Sequence, residues 1–279
     1  MNLKTNYHTH CTFCDGKNTA EEMIQSAIKK GFSILGFSSH SMNSFATNWH
    51  IPVDRHKEYC DTIRSLAAKY KDKISVYCGF EADFVEGLCL PDKDAYEAYS
   101  PDYLIGSVHF VTGSTGFYEA DGKTDSVIKS IEKYFGGDVK KAVSRYFELE
   151  RKMLACCSFD IIGHPDLIRK QNSERILFNE NDSWYKEEVI KTVQAIADAG
   201  VCVEINTGGM ARGYMQSPFP SPFFLSQLHE RNVPVTIDSD SHSEDTLDYW
   251  FEQAVQYAKD AGYKEIAYFS NDSMKMQEI

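Results

Sequence analysis

Seven short apolar runs along this chain each end on a histidine, a carboxylate or an amide, and helix-like stretches separate them. Alternation of strand and helix predicts parallel strands joined by helical crossovers. Short, mostly apolar strands are also typical of a sheet that is buried on both faces. The runs occupy residues 6–10, 34–40, 76–81, 104–109, 160–164, 201–206 and 235–242. They predict an α/β fold built as a seven-stranded β/α barrel, similar to a TIM barrel.

Helix signals lie between these runs. Thr19 and Glu22 form a capping box, which opens a helix that runs to Gly31, where glycine suits the position after a helix end. Further helices are predicted over residues 54–70, 125–157 with a break at 136–137, 184–200, 221–231 and 244–262. A last strand over 266–269 precedes a polar tail. Since no linker or repeat interrupts the pattern, we expect residues 1–279 to form a single domain.

The formal charge of −12 argues against a nucleic-acid partner, which would need clustered lysine and arginine. It leaves a small anionic substrate open, because bound metal ions can invert the local field. No run approaches the roughly 20 apolar residues of a membrane span. The N-terminal residues contain no apolar signal region, so we expect a cytoplasmic location. The sequence leaves the oligomeric state open.

The eight cysteines are scattered, which predicts reduced thiols and not a disulfide framework. Cys11 and Cys14 form a C-x-x-C pair, which occurs in redox and zinc sites. There is no second such pair to complete a four-sulfur site, and the pair lies in a histidine-rich turn instead of at a helix start. We therefore favour other roles for these two thiols.

The histidines are concentrated where the predicted strands end. In a parallel barrel the carboxyl ends of the strands meet at one mouth, so side chains at those ends converge. The other three histidines, His50, His56 and His229, are expected to be surface or packing residues, with His50 in a loop that could contact substrate. Six of the nine histidines lie at strand ends: His8, His10, His40, His109, His164 and His242.

Carboxylates accompany these histidines, and together they predict a metal cluster. Glu81 ends its run, and a buried carboxylate is costly unless it is paired or coordinated. Asp240 and His242 are alternate residues, as are His8 and His10, so each pair can face one ion. Asp15 follows closely, although Asp15-Gly16 alone would indicate a turn. Six imidazoles exceed one tetrahedral zinc site, so we expect two or three divalent ions, with Zn, Mn and Fe all compatible.

Three long connections follow the second, third and fourth strands, at residues 41–53, 82–101 and 110–124. In a barrel of this kind they would form walls around the pocket. A histidine such as His40, taken alone, would more simply be a hydrogen-bonded rim residue, and Pro165 after His164 could mark a simple turn. The joint placement of the six histidines is what favours a functional site.

These residues resemble the motifs of the polymerase-and-histidinol-phosphatase (PHP) superfamily over essentially the whole chain. The matching elements are His8-Thr9-His10, His40, a central histidine at His109 or His164, and Asp240-Ser241-His242. The resemblance implies a distorted seven-stranded barrel with a trinuclear metal site at the strand ends. It also implies three ligand sets: His8, His10, Glu81 and Asp240; Glu81, His109 and His164; and Asp15, His40 and His242. Many members have a histidine near the position of Asp15.

Within that superfamily, the segments 163–170 and 204–213 look most like the histidinol-phosphatase branch. That likeness implies a metal-dependent phosphomonoesterase acting on L-histidinol phosphate, or else on another small ester such as a nucleotide bisphosphate or a sugar phosphate. Asp83, Glu86 and Glu119 on the wall loops are candidates for the ammonium and imidazole groups of the substrate. A nucleic-acid processing domain is disfavoured by the charge, and a metal-binding scaffold without activity is disfavoured by the nearly complete ligand set.

Individual roles follow from this resemblance. The backbone amides of residues 206–209 could face an anion, and an arginine fork suits phosphate oxygens. The two arginines in question are Arg212 and Arg169. For each of them, the simpler interpretation is a solvated surface residue or the partner of a carboxylate. The expected catalytic residues are Glu81, Asp240, His242 and Arg212. The expected substrate-binding residues are Arg212, Arg169, Asn206 and Ser41.

Overall fold

The computed structural model describes residues 3–42, 44–172, 177–270 and 273–279. Its strands are β1 (Thr5–Asn6), β2 (Ile34–Phe37), β3 (His40–Ser41), β4 (Ser75–Asp83), β5 (Tyr103–Ser107), β6 (Phe110–Thr112), β7 (Phe117–Glu119), β8 (Ile161–Ile162), β9 (Cys202–Asn206), β10 (Val235–Asp238), β11 (Glu265–Ser270) and β12 (Ser273–Glu278). The helices are α1 (Ala20–Lys29), α2 (His56–Tyr70), α3 (Thr124–Phe135), α4 (Val139–Cys156), α5 (Ser183–Ala199), α6 (Gly208–Ala211), α7 (Pro222–Glu230) and α8 (Phe251–Asp260).

A parallel sheet curves into a nearly closed barrel. Within the described residues its strand order is β1-β2-β4-β5-β8-β9-β10, and β3 pairs with β4 beyond the end of β2. All neighbouring strands along this path are parallel. Between β10 and β1 the barrel is bridged by the amide of His10, which donates to the carbonyl of Ser241 at 2.9 Å, and by the Ser241 amide, which donates to the His8 carbonyl at 3.2 Å. The predicted distorted seven-stranded α/β barrel is confirmed.

Local signals explain most helix bounds. Thr19 accepts from the amide of Glu22, and the Glu22 carboxylate accepts from the amide of Thr19, so the predicted capping box is present. Gly31, directly after the helix end, has φ +78°, a conformation that glycine adopts without steric cost. The break predicted at 136–137 separates α3 from α4.

The tyrosine ring of Tyr103 packs tightly against two neighbouring strands. A Cβ placed at Gly36 would lie 2.4 Å from the Tyr103 hydroxyl, and one at Gly79 would lie 2.6 Å from its ring. Glycine at both positions therefore makes room for this ring, whose hydroxyl donates to the carbonyl of Tyr7. The main apolar core lies elsewhere, between the strands and the surrounding helices.

The C-terminal part differs from the sequence prediction in two places. The helix predicted over 244–262 is α-helical only from Phe251, because Trp250 has a left-handed backbone (φ +64°) that interrupts a right-handed helix. The predicted polar tail contains a strand, β12, which pairs antiparallel with β11. None of the helices in the described ranges is long and apolar enough to span a membrane.

Candidate metal centre

A cleft of about 620 Å³ opens at the carboxyl ends of the barrel strands. Histidine and carboxylate side chains from several strand ends form its floor, as the convergence of parallel strands requires. The floor residues among its lining are Asp15, His40, His109, His164, Asp240 and His242.

Glu81 lies at the centre of the floor and is 1% exposed. Its Oε2 is 2.7 Å from Nδ1 of His40 and 3.1 Å from Nε2 of His8. Its Oε1 is 2.9 Å from Nε2 of His164 and 3.4 Å from Nε2 of His109. The two oxygens of one carboxylate thus face two different groups of imidazoles, which is the arrangement that a bridging ligand needs.

Asp240 forms a second point of contact. Its Oδ1 is 3.2 Å from Nε2 of His10 and 3.8 Å from Nε2 of His8. A parallel bridge between Thr9 and Ser241 holds the two segments in register, so the alternate residues on each side meet. His8, His10 and Asp240 therefore meet on one side of the floor.

Asp15 approaches the opposite side from the loop that follows the first strand. Its Oδ1 is 3.2 Å from Nε2 of His242 and 3.8 Å from Nε2 of His40. Because Asp15 lies on a loop near two imidazoles, it has the contacts expected of a ligand and not only those of a turn residue. Its role as a ligand stays a prediction.

The residues of this floor fit divalent metal ions. Three sets of ligand atoms lie within 4.8 Å of one another: His10, Asp15, His40 and His242; His8, His10 and Glu81; and His40, Glu81 and His109. Four buried atoms approach one another without hydrogen-bond geometry and have no hydrogen-bond partner among the described residues: Nε2 of His8, Nε2 of His10, Nδ1 of His40 and Oε2 of Glu81. Unpaired buried polar atoms are costly, and coordination to a cation would satisfy them.

Two further carboxylates hold ligand imidazoles from behind. Glu204 Oε2 lies 2.7 Å from Nδ1 of His8, and Asp83 Oδ1 lies 2.8 Å from Nδ1 of His109. Such contacts fix the ring orientation and leave Nε2 directed to the metal side. Sequence reasoning missed these two roles, although a carboxylate within a buried strand, which needs a partner, was a usable signal.

The electrostatics of the centre favour ionised carboxylates. Burial alone raises the pKa of Glu81, but His8, His40 and His109 outweigh it and hold that pKa well below its usual range. Burial lowers the pKa of His109, but the carboxylates of Asp83 and Glu81 outweigh it and raise the pKa to about 10. Without a bound cation, the ionised carboxylates therefore hold protons on neighbouring imidazoles, and a divalent ion would take the place of those protons.

The backbone is strained at two of the predicted ligand positions. Asp240 has φ +47° and His164 has φ +26°, a region that non-glycine residues adopt at a cost of about 1–3 kcal/mol. Gly208 lies against Asp240, and a Cβ there would come within 2.8 Å of the Asp240 Cβ. Strain at these two residues is consistent with a site that fixes side-chain direction at the expense of stability.

Three predicted substrate-binding residues do not line the cleft. The Arg169 guanidinium is buried, and its Nε donates to Glu180 at 2.8 Å. The Ser41 hydroxyl lies 3.1 Å from Nε2 of His56, because neighbouring residues of a strand point to opposite faces and His40 occupies the cleft face. Asn206 donates to Glu204 at 2.7 Å and so supports the floor from below.

Arg212 does line the cleft. Its Nη2 donates to Oδ2 of Asp240 at 2.8 Å, and its Nη1 donates to the Asp240 carbonyl at 2.8 Å. The backbone amides predicted to face an anion are partly engaged within the protein, since Gly208 donates to the Asn206 side chain and Thr207 donates to the Asp238 carbonyl. Of that segment, Gly209 lines the cleft.

The wall loops contribute unequally. Segment 82–101 contributes no lining residue in the described part of the cleft. Asp83 is turned inward to His109, and Glu86 pairs with Lys152 at 2.7 Å and with Arg145. Both are therefore wrong as predicted contacts of a substrate. Glu119, from the segment 110–124, does line the cleft.

Several lining residues were missed by sequence reasoning. Trp49 and Asp121 line the cleft from the wall loops, and Lys170 and Tyr214 line it from the side of β8 and β9. The Lys170 ammonium lies 4.3 Å from the centre of the Tyr214 ring and 3.4 Å from Oδ2 of Asp121. Lys170 directly follows the predicted Arg169, and the 3-10 turn that contains both turns Lys170, and not Arg169, toward the cleft.

The remaining histidines and the C-x-x-C pair do not line the described part of the cleft. His50 and His56 are buried, and His229 packs against Tyr263. Both cysteines of the pair are free thiols, and Cys14 Sγ lies 3.6 Å from Nδ1 of His10. The same thiol lies 3.5 Å from the carbonyl of Cys11, so its polar contacts are weak ones within the turn and to the imidazole of His10.

Comparison with known proteins gives consistent matches. The sequence profile of the PHP domain matches residues 6–208. A "Probable histidinol-phosphatase" of Deinococcus radiodurans is 25% identical over 264 residues, which cover 94% of this chain and 95% of the relative. The solved structure of HisK from Listeria monocytogenes gives a TM-score of 0.79 at 20% identity, covering 90% of this chain and 99% of the other. That of HisK from Lactococcus lactis, with Zn, L-histidinol and phosphate, gives 0.71 at 18% identity and 98% coverage of both.

The two solved structures share the fold described above over almost the whole of both chains. The profile match covers well over half of the 279 residues and includes the segments that carry His8, His40, Glu81, His109 and His164. This chain therefore belongs to the PHP domain family.

Proposed function

We propose that this chain is a metal-dependent phosphomonoesterase that hydrolyses L-histidinol phosphate to L-histidinol and phosphate, a step of histidine biosynthesis. The observation that carries the proposal is the set of buried imidazoles around Glu81 and Asp240 at the floor of an open cleft. The names of the Deinococcus radiodurans relative and of the Lactococcus lactis structure support the choice of ester.

Two or three divalent ions, from Zn, Mn or Fe, are proposed at the floor. The distances support three ligand sets: His8, His10, Glu81 and Asp240; Glu81, His109 and His164; and Asp15, His40 and His242. Mixed nitrogen and oxygen ligands suit these metals, and zinc accompanies the Lactococcus lactis structure. When bound, such ions activate water at neutral pH and neutralise charge on a phosphoryl group.

The phosphoryl group is proposed to lie between the floor and two cationic side chains. Arg212 offers a guanidinium fork at the edge of the cleft, and it is already oriented by Asp240. Lys170 offers an ammonium from the neighbouring wall. Lys170 thus replaces Arg169 in the role that sequence reasoning gave to the arginine.

The head group of the ester is proposed to contact the wall that carries Trp49, Glu119 and Asp121. L-histidinol phosphate has an ammonium and an imidazole, and carboxylates and an aromatic face both attract such groups. The Glu119 carboxylate already accepts from the Trp49 indole at 3.2 Å, so the two side chains form one surface.

The setting of this activity is proposed as follows. Residues 1–279 act as a single domain in the cytoplasm on a small-molecule ester, without a nucleic-acid or membrane partner. The formal charge of −12 supports the exclusion of nucleic acid, since an anionic surface repels phosphate backbones.

The test is phosphate release from L-histidinol phosphate with Zn or Mn supplied, beside a nucleotide bisphosphate, a sugar phosphate and an aryl phosphate. We expect kcat/KM for L-histidinol phosphate to exceed the others by at least about 100-fold, which corresponds to about 2.7 kcal/mol of differential transition-state binding. Equal and slow rates on all four esters would refute the proposed substrate. Fast hydrolysis of one of the others would reassign it.

A further inference from the structure

A buried chain of hydrogen bonds connects the first wall loop to the metal centre. Asp83 is 1% exposed, and its two carboxylate oxygens contact two different histidines. Oδ1 lies 2.8 Å from Nδ1 of His109, and Oδ2 lies 2.7 Å from Nε2 of His50. Nδ1 of His50 in turn lies 2.7 Å from the hydroxyl of Thr47. One carboxylate is therefore shared by a floor residue and a wall residue.

The hydrogen-bond roles along this chain are mutually consistent. An ionised carboxylate only accepts, so His109 donates from Nδ1 and His50 donates from Nε2. When a metal ion binds, His109 would then present an unprotonated Nε2 on the side of Glu81 Oε1, which lies 3.4 Å away. Nδ1 of His50 accepts from the hydroxyl of Thr47. Each ring is thereby fixed in one tautomer and one orientation.

His50 also supports the aromatic wall of the cleft. The ring of Trp49 lies on the ring of His50, with centroids 3.7 Å apart. Phe110 stacks against Trp49 at 5.8 Å, and Glu119 accepts from its indole nitrogen. The edge of His40 approaches the Trp49 ring at 4.7 Å. A shift of His50 would therefore move a side chain that lines the cleft.

We propose that Asp83 is a positioning residue that holds His109 for the metal and, through His50, holds Trp49 in the cleft wall. Metal retention and the shape of the substrate cleft then depend on the same carboxylate. The inference rests on the proposed metal role of His109 but not on the identity of the ester. A chain that binds zinc but leaves L-histidinol phosphate intact would refute the proposed substrate and leave this inference standing.

The experiment uses the full chain with Trp184 and Trp250 replaced by Phe, so that Trp49 is the only tryptophan. Zinc affinity is measured by competition with a chromophoric chelator, and the accessibility of Trp49 by acrylamide quenching of its fluorescence. Asp83→Asn should lower zinc affinity about 10- to 100-fold, the usual cost of losing a partner that orients a metal ligand. It should also raise quenching of Trp49. His50→Ala should raise quenching but lower zinc affinity less than Asp83→Asn does.

Glu150→Gln is the matched control, because Glu150 is a buried carboxylate that accepts from Tyr146 at 2.7 Å and does not contact the proposed ligands. Glu150→Gln should change neither the zinc affinity nor the quenching of Trp49. Circular dichroism checks that each variant is folded. The inference is overturned if Asp83→Asn lowers zinc affinity no more than Glu150→Gln does. It is equally overturned if His50→Ala leaves Trp49 quenching at the wild-type value. Absence of zinc binding by the parent chain would overturn both this inference and the metal assignment.

Discussion

The imidazole of His10 packs closely against two other imidazoles of the floor. The rings of His10 and His242 stack at 4.0 Å, and those of His10 and His40 approach at 4.2 Å. Protonated rings at these distances would repel one another. At the residue scale, the packing fits a neutral His10, since burial together with His242 and His40 holds the pKa of His10 well below its usual range.

His10→Ala tests the ligand assignment at one residue. Its Nε2 faces both Glu81 and Asp240, so its loss should remove an anchor of a metal ion. We expect at least a 100-fold loss of kcat/KM, since even partners behind the ligands cost about 10- to 100-fold. Metal content of the purified variant and phosphate release are measured together. His229→Ala, a histidine on α7 outside the cleft, serves as the control and should retain both; normal metal content and turnover in His10→Ala would refute the assignment.

Arg212→Ala and Arg169→Ala should behave in opposite ways. Arg212 lines the cleft, so its loss should raise KM about 10-fold or more, because a hydrogen bond to a charged group is worth ~1.5–3 kcal/mol. Arg169 is bonded to Glu180 and Ser217 inside the protein, so its loss should lower the free energy of unfolding and leave KM unchanged. Steady-state kinetics and urea unfolding of both variants separate the two effects. If KM rises in Arg169→Ala and not in Arg212→Ala, then Arg169 binds the substrate and Arg212 does not.

Sequence reasoning succeeded for residues whose direction follows from strand geometry. Six histidines at strand ends could be predicted to converge, because the carboxyl ends of parallel strands share one mouth. The predictions were wrong where the direction of a side chain depends on a turn, or where the side chain lies on the face of the strand that points away from the cleft. Lys170 and Arg169 are neighbours in a 3-10 turn, and only the folded turn decides which one faces the cleft. Ser41 follows His40 in β3 and so points to the opposite face.

Helix α4 carries a buried acid that is independent of the metal centre. Burial raises the pKa of Glu150 well above its ordinary value of 4.5, so the folded chain holds this group protonated where the unfolded chain ionises it. An acid whose folded pKa is raised stabilises the fold below the unfolded pKa, and that contribution is lost as the pH rises through the folded pKa. The protonated acid still accepts from the Tyr146 hydroxyl at 2.7 Å.

Glu150→Gln should therefore change the pH dependence of stability. The amide stays neutral at every pH, so the variant should gain stability relative to wild type as the pH rises above about 4.5. The difference in unfolding free energy between the variant and the wild type should change by up to about 1.4 kcal/mol per pH unit, the value for one proton. Urea unfolding of both proteins at pH 5, 6.5 and 8 measures it. A difference in unfolding free energy that is the same at all three values would contradict the raised pKa.

Other elements show which local signals were sufficient. The capping box at Thr19 and the glycines at 136–137 act through local backbone chemistry; α1 begins and α3 ends where these signals predict. Strand β12 was missed because most of its residues are exposed on both faces, which leaves no apolar alternation to detect. Segment 82–101 was predicted to be a wall because of its length, but length alone does not give the direction of a loop.

At the scale of the whole molecule, the barrel brings together predicted ligands that are more than 230 residues apart in the chain, from His8 to His242. Their mutual approach leaves buried polar atoms unpaired, so the fold without metal should be the less stable state. Metal binding to the folded state alone stabilises it by mass action. Stability and activity should thus depend on metal together.

Chelation tests this dependence. Treatment with EDTA should lower the Tm and abolish phosphate release, and zinc or manganese should restore both. Metal at 100 times its Kd contributes about 2.7 kcal/mol of stability per site. The His10→Ala variant is the control and should show a smaller Tm shift. A wild-type Tm that is indifferent to the chelator would show that no metal is bound at the floor.

The central claim, a cluster of divalent ions on Glu81, is tested most directly by anomalous diffraction. Crystals grown with zinc would be measured on both sides of the zinc absorption edge. We expect two or three anomalous peaks at the floor of the cleft, with at least two of them within coordinating distance of the two Glu81 oxygens, about 2.0–2.2 Å. A single peak away from Glu81, or a floor without any peak in crystals of zinc-loaded protein, would contradict it.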